Sequence, residues 1–104
     1  MTKDINRLLW VCWCCLLGNF SQASSTVDGA DGKIIITPVV HSSVQLEYQD
    51  LVIQVDPWSA ISINNYKSAD IILVTDNPGH HLDVKAIRAL SNPAATVIAP
   101  ANSA

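Results

Sequence analysis

The chain has 104 residues, of which 49% are hydrophobic, with six basic and nine acidic side chains and a formal net charge of −3. That length holds one small domain at most, and the absence of a basic stripe argues against nucleic acid or an anionic membrane surface as a partner. Cys12, Cys14 and Cys15 all fall in one apolar run near the start, so the rest of the chain has no cysteine with which to build a disulfide framework.

The first element is a leader. MTKDINRLLWVCWCCLLGNFSQASS opens with Lys3 and Arg7, continues with an apolar stretch from Leu8 to about Leu17, and ends in small residues at Ser21 and Ala23. That order describes a secretory signal peptide over residues 1–23, with cleavage expected after Ala23. The apolar core is short for a membrane span, which needs roughly 20 apolar residues. The three cysteines read as small apolar filler within it. The product is then expected to be periplasmic or secreted, more acidic than the full chain because Lys3 and Arg7 depart with the leader, and without a stable membrane anchor after cleavage.

Residues 24–33, SSTVDGADGK, are polar and rich in Gly and Asp and predict a flexible linker. The domain itself is expected over residues 34–104. IIITPVV (34–40) is a β-branched run interrupted by Pro38, which suits an edge strand or a break in one. SVQLEY (43–48) alternates, with Val44, Leu46 and Tyr48 on one face and Gln45 and Glu47 on the other. LVIQVD (51–56) puts Leu51, Ile53 and Val55 on one side, and the two residues between them, Gln49 and Asp50, predict a hairpin. PWSAISINNYKSA (57–69) is loop-like. IILVT (71–75) is a continuous apolar run, as in a strand covered on both faces. DVKAIRALS (83–91) predicts a short helix with Asp83 as N-cap, a buried stripe of Ala86, Ile87 and Leu90, and an end at Asn92-Pro93. TVIAP (96–100) is one more strand. Strand, hairpin, strand, helix, strand is the order of an α/β layered domain. With one helix in view, one face of the sheet has no cover.

Chemistry gathers in DIILVTDNPGHHLD (70–83). A loop leaving the carboxyl end of a buried strand is a common seat for function in α/β proteins. Asp76, His80, His81 and Asp83 carry the nitrogen and oxygen donors that divalent metals accept. Gly79 is expected to let the backbone turn tightly, with Pro78 stiffening the turn. Side chains adjacent in sequence usually diverge, so one of His80 and His81 is expected to face a given ion. The other reading of the same residues is a solvated turn in which Asp83 only caps the helix.

ITPVVHSSVQLEYQDLVIQVDPWS followed by ADIILVTDNPGHHLD resembles the N-terminal portion of a metallo-β-lactamase-fold hydrolase, and within that superfamily the lactonase-like metal-dependent branch. HSSVQLEYQDLVIQVDP resembles the family's first hairpin, ADIILVTD the strand delivering its metal loop, and HLDVKAIRAL the helix that follows. The resemblance covers residues 34–104 and implies a partial αββα sandwich. It also implies zinc or another divalent metal, a small-molecule substrate, and hydrolysis of an ester, lactone or phosphoester. Against the family's loop pattern His-x-His-x-Asp-His, Asp76 stands at the first His, Pro78 at the second, His80 at the Asp and His81 at the last. The resemblance thus assigns Asp76 and His81 to the metal and His80 to a catalytic place as ligand or proton shuttle. It gives Asp56 and Asp83 bracing roles and makes His41 a substrate contact. Trp58 reads as loop packing. Because Pro78 cannot ligate, a metal-free module of the same fold, used for binding or structure, is the competing expectation. A truncated copy without activity of its own is the third, and the expectation is of a truncated hydrolase in which these 104 residues alone are not catalytic.

Overall fold

The computed structural model describes residues 23–103; the expected leader therefore lies outside the described residues, except for Ala23. Six strands form one sheet in sequence order: β1 (Ser25–Gly29), β2 (Gly32–Val40), β3 (Ser43–Tyr48), β4 (Leu51–Val55), β5 (Ala69–Leu73) and β6 (Ser91–Ile98). The first four are antiparallel, while β4–β5 and β5–β6 run parallel. One helix, α1 (Val84–Leu90), provides the β5–β6 crossover, and short 3₁₀ turns occupy Ile63–Asn65 and Ala101–Ser103. This is a small mixed α/β sheet, as the element order implies. Among the described residues it is one sheet with one helix; the second sheet of a sandwich is not among them.

The stretch expected to be a flexible linker is instead a strand hairpin with β2, pairing Val27 with Ile34 and Gly29 with Gly32. Tyr48 explains why. Its hydroxyl accepts from Asp31 N at 3.0 Å, and its ring lies so close to Gly29 that a Cβ there would come within 3.0 Å of Cε2 and 2.9 Å of the Gly32 carbonyl. A glycine at 29 is what lets the turn close over the aromatic ring, a contact 19 residues away that composition alone does not reveal. The predicted hairpin forms with Tyr48 opposite Leu51, and Gln49 takes a left-handed φ of 52° to close it.

Two further boundaries differ from expectation. β5 starts two residues earlier than the apolar run, because Asp70 stitches its neighbours together: Val52 N donates to Oδ2 (2.8 Å) and Asn92 Nδ2 to Oδ1 (2.6 Å). The latter bond also draws the chain into β6 at Ser91, directly after α1, rather than at Thr96. Pro93 fits there because β6 is an edge strand, where a missing N–H need not interrupt a ladder.

In-register residues share a face of a sheet. One face carries the rows Ile36–Leu46–Ile53–Ile71 and Val44–Val55–Leu73–Ile98. The other carries Gln45, Gln54 and Ile72, and this second face is the covered one. Ile72 is fully buried in a cluster with Ala69 and Val74, against which Leu82 and Ile87 pack, while Ala86 and Leu90 bury the helix. The 57–69 loop shields the glutamines. Gln54 Nε2 donates to Gln45 Oε1 (2.8 Å) and to the Lys67 carbonyl (3.0 Å), Lys67 N donates to Gln45 Oε1 (3.1 Å), and Gln45 Nε2 donates to Glu47 (2.8 Å). Both amide nitrogens and the Gln45 carbonyl oxygen are thereby paired, which offsets their loss of water on burial.

Candidate functional site

The carboxyl ends of β4 and β5 and the β2–β3 turn meet at one edge of the sheet, because Val44 is paired with Val55 and Val55 with Leu73. The parallel ladder runs one step past each strand: Asp56 N donates to the Leu73 carbonyl and Val74 N to the Ile98 carbonyl, both at 2.8 Å. Asp56 is thereby locked beside the start of the loop that carries the histidines. It adopts φ 43°, a left-handed conformation uncommon for a residue with a Cβ, and Ser43 Oγ holds its carbonyl at 2.5 Å.

Asp56 is 1% exposed and all its carboxylate contacts are internal. Thr75 N donates to Oδ1 at 2.7 Å, Thr75 Oγ1 to Oδ2 at 2.5 Å, and His81 Nδ1 lies 2.6 Å from Oδ2. Burial pushes this carboxyl's pKa up, but the Thr75 hydroxyl, the Thr75 amide and His81 together outweigh it, so the pKa lies below its ordinary value. A carboxylate facing Nδ1 fixes the proton there. Thr75 Oγ1, 3.1 Å from the same nitrogen, spends its own proton on Asp56 and can only accept. The His81 ring is thus held in one tautomer with Nε2 as its lone-pair nitrogen. The expected bracing role of Asp56 has a concrete form in this geometry: it orients an imidazole.

The loop between β5 and α1 is a single helical turn, in which the Pro78 carbonyl accepts from His81 N (2.8 Å) and Leu82 N (2.9 Å). Two expectations about it need correction. Gly79 is not in the left-handed region, and a Cβ on it would meet nothing within 4 Å, so the turn does not require glycine; the Pro78 carbonyl closes it instead. His80 and His81 do not diverge either. Their ring centroids are 4.4 Å apart at 49°.

The remaining candidates separate. His41, at φ 52° in the β2–β3 turn, packs its ring on Trp58 (5.1 Å, edge-on) and faces His80 (5.9 Å). Trp58 also meets His80 edge-on at 6.4 Å. Trp58 is therefore part of the wall beside the histidines rather than packing within its own loop. Asp83 is the N-cap of α1, Oδ1 accepting from Ala86 N at 3.1 Å. Its other oxygen takes Ser59 N (2.8 Å) and Ser59 Oγ (2.7 Å). Burial raises its pKa, but the Ser59 hydroxyl and amide and the helix amides lower it further, so it too sits below its ordinary value. Asp83 braces the loop that presents Trp58. Asp76 is exposed and accepts from the next amide, Asn77 N, at 2.8 Å. Among the described residues, no three His, Cys, Asp or Glu side chains are arranged to hold a metal ion, and no helix is long and apolar enough to cross a membrane.

Thr75, Ser59 and Ser43 are the residues that sequence reasoning missed. Thr75 reads as the last residue of a β-branched strand, Ser43 as the first residue of an alternating one and Ser59 as part of a loop; only the groups they bond to mark them out.

No family model and no curated protein matches the chain. Among solved structures it is similar to a crystal structure from Parabacteroides distasonis, provisionally described as a metal-dependent hydrolase. The two are 37% identical with a TM-score of 0.73, over 78% of this chain and 38% of that one. This chain spans well under half the length of that protein.

Proposed function

We propose that the chain is a hydrolase module of the metal-dependent kind, with the metallo-β-lactamase fold and its lactonase-like branch as the specific kinship. The bond cut is an ester, lactone or phosphoester in a small molecule. The observation that carries this reading is the Asp56–His81 pair, 2.6 Å apart, with Asp56 directly after β4 and His81 in the loop that follows the adjacent parallel strand β5, in a chain similar to a described hydrolase.

In hydrolases of this kind a divalent ion such as zinc lowers the pKa of a bound water and draws charge from the substrate oxygen. A resident ion of that type takes about three protein ligands. The described residues do not fit that requirement, since no such group is assembled and Asp76 is turned to its neighbour's amide. The steps assigned here therefore use the chain's own groups. His81 Nε2 is the oriented base: Asp56 stabilises the imidazolium that forms when it accepts a proton from an attacking water. His80, its ring tilted against that of His81, is the second imidazole within reach of the same substrate, and His41 and Trp58 form the wall against which the substrate rests. Export through the leader places this chemistry in the periplasm or outside the cell, and amino-terminal sequencing of the purified product checks it, with Ser24 expected first.

The test is turnover of a panel of chromogenic esters, lactones and phosphoesters, with and without added zinc. Hydrolysis that drops at least a hundredfold in His81→Ala, and less in His41→Ala, supports the reading; turnover untouched by His81→Ala sinks it. The second reading, a metal-free module used for binding or structure, is favoured by the unassembled ligand set, and a folded protein inert toward the whole panel is its expected outcome.

A further inference from the structure

A concavity one residue along the chain from Trp58 uses none of the groups that hold His81. It is a groove of about 380 Å³, walled by residues 59–64 of the loop and by Lys85 of α1. Its volume falls within the roughly 300–1,000 Å³ of small-molecule sites. The walls are fixed by local contacts. At one rim Asp83 takes both the amide and the hydroxyl of Ser59. At the other the 3₁₀ turn Ile63–Asn65 packs against α1, and Tyr66 N closes that turn on the Ile63 carbonyl at 3.1 Å. One loop and one helix residue therefore build the whole groove, in place before any ligand arrives.

We propose that this groove binds an oxyanion, the phosphate or carboxylate group of a small molecule, with Lys85 as its counter-ion. Charge singles out the ligand class. Lys85 is the one ionisable group in the lining, and no acidic side chain shares the groove with it. Asp83, two residues before it, has its oxygens committed to Ser59 and to the Ala86 amide. Among the described residues Lys33 is paired with Asp28 and Lys67 with Glu47, whereas the Lys85 ammonium pairs with no carboxylate. The other polar groups are donors of the kind an oxyanion takes. Ser62 Oγ accepts from Asn64 N at 3.4 Å and keeps its own proton to give, and the exposed Asn64 carboxamide offers two N–H groups at the same wall. Ala60, Ile61 and Ile63 complete the lining, and their apolar surface makes an ion pair with Lys85 stronger than one in open water. None of these side chains takes part in the chemistry assigned to His81, so the site does not depend on the hydrolase reading.

The test is titration of the isotope-labelled full chain with inorganic phosphate and, separately, with acetate, at constant ionic strength, read by amide NMR. Saturable shifts centred on Ser62, Asn64 and Lys85 are expected with at least one of the two, and the tighter binder names the group recognised. Affinity is expected to fall roughly tenfold in Lys85→Gln, to be largely kept in Lys85→Arg, and to change less than about twofold in Arg88→Gln, one turn further along α1. Lys85 and Arg88 are both exposed, so these substitutions leave the fold in place. An equal loss in Lys85→Gln and Arg88→Gln would reduce the effect to diffuse charge along the helix and overturns the proposal. Shifts that rise without saturating, shifts centred outside the groove, or no shifts with either anion overturn it as well.

Discussion

The two faces of this sheet invert the usual expectation. The face with the more hydrophobic rows, Ile36–Leu46–Ile53–Ile71 and Val44–Val55–Leu73–Ile98, is the half-open one. On the other face Gln45 and Gln54 are buried, to 5% and 2% exposure. The difference shows that burial follows where the crossover helix and the 57–69 loop are laid, and that polar groups survive beneath them when their donors find acceptors there.

Substitutions on the two faces break or sharpen that contrast. Ile72→Ala removes a fully buried side chain from beneath α1 and is expected to cost about 3 kcal/mol in denaturant unfolding, within the range for buried aliphatics. A cost near that of a surface residue would mean that α1 does not cover this face. Next comes Asp56→Asn, expected to cost about 2 kcal/mol through lost charge-assisted bonds to Thr75 and His81.

The same residue has a pH signature. Because the folded-state pKa of Asp56 is lowered, its contribution is fully present above the unfolded value of about 3.9 and is lost as pH falls through the lower folded value. Asp83, lowered likewise, adds to this acid limb. Stability measured from neutral pH downward should therefore fall less steeply below about pH 4 in Asp56→Asn than in the wild type; parallel curves would show that the carboxylate is not held as described.

Asp83→Ala removes both a helix cap and the two bonds to Ser59, for an expected loss of about 1–2 kcal/mol. It should also increase the mobility of Trp58, read by its fluorescence anisotropy. Leu46→Ala, on the face opposite α1, is expected to cost about 1–2 kcal/mol, less than Ile72→Ala, since its side chain keeps some exposure there. The smallest effect belongs to Gly79→Ala. With no left-handed backbone and open space around the position, stability should shift by less than about 0.5 kcal/mol, toward stabilisation if at all. A loss above about 1 kcal/mol would return that glycine to the role the sequence suggests for it.

Local rules account for what was legible beforehand. The β3–β4 hairpin follows from two alternating runs two residues apart, and the cap of α1 from an Asp placed just before Val84, Ile87 and Leu90. Both depend on neighbours within a few residues. The failures depend on distant ones. Residues 24–33 look like a linker until Tyr48 lies against Gly29; the start of β6 looks like a helix end until Asn92 reaches Asp70; and Trp58 looks like loop packing until His41 and His80 arrive from two other loops.

The sequence by itself determined the order of elements from β2 to β6, the chemical types gathered after β5, and the alternation of side chains along β3 and β4, since periodicity and capping act over a few residues. Only the tertiary structure decided which face was covered, that Asp56 and Thr75 would clamp His81 across 25 and 6 residues of chain, and that Asp76 would turn to its own neighbour instead. The clamp on His81 rests on a hydrogen bond between groups distant in sequence, and its geometry exists only once the parallel strands have set β4 and β5 side by side.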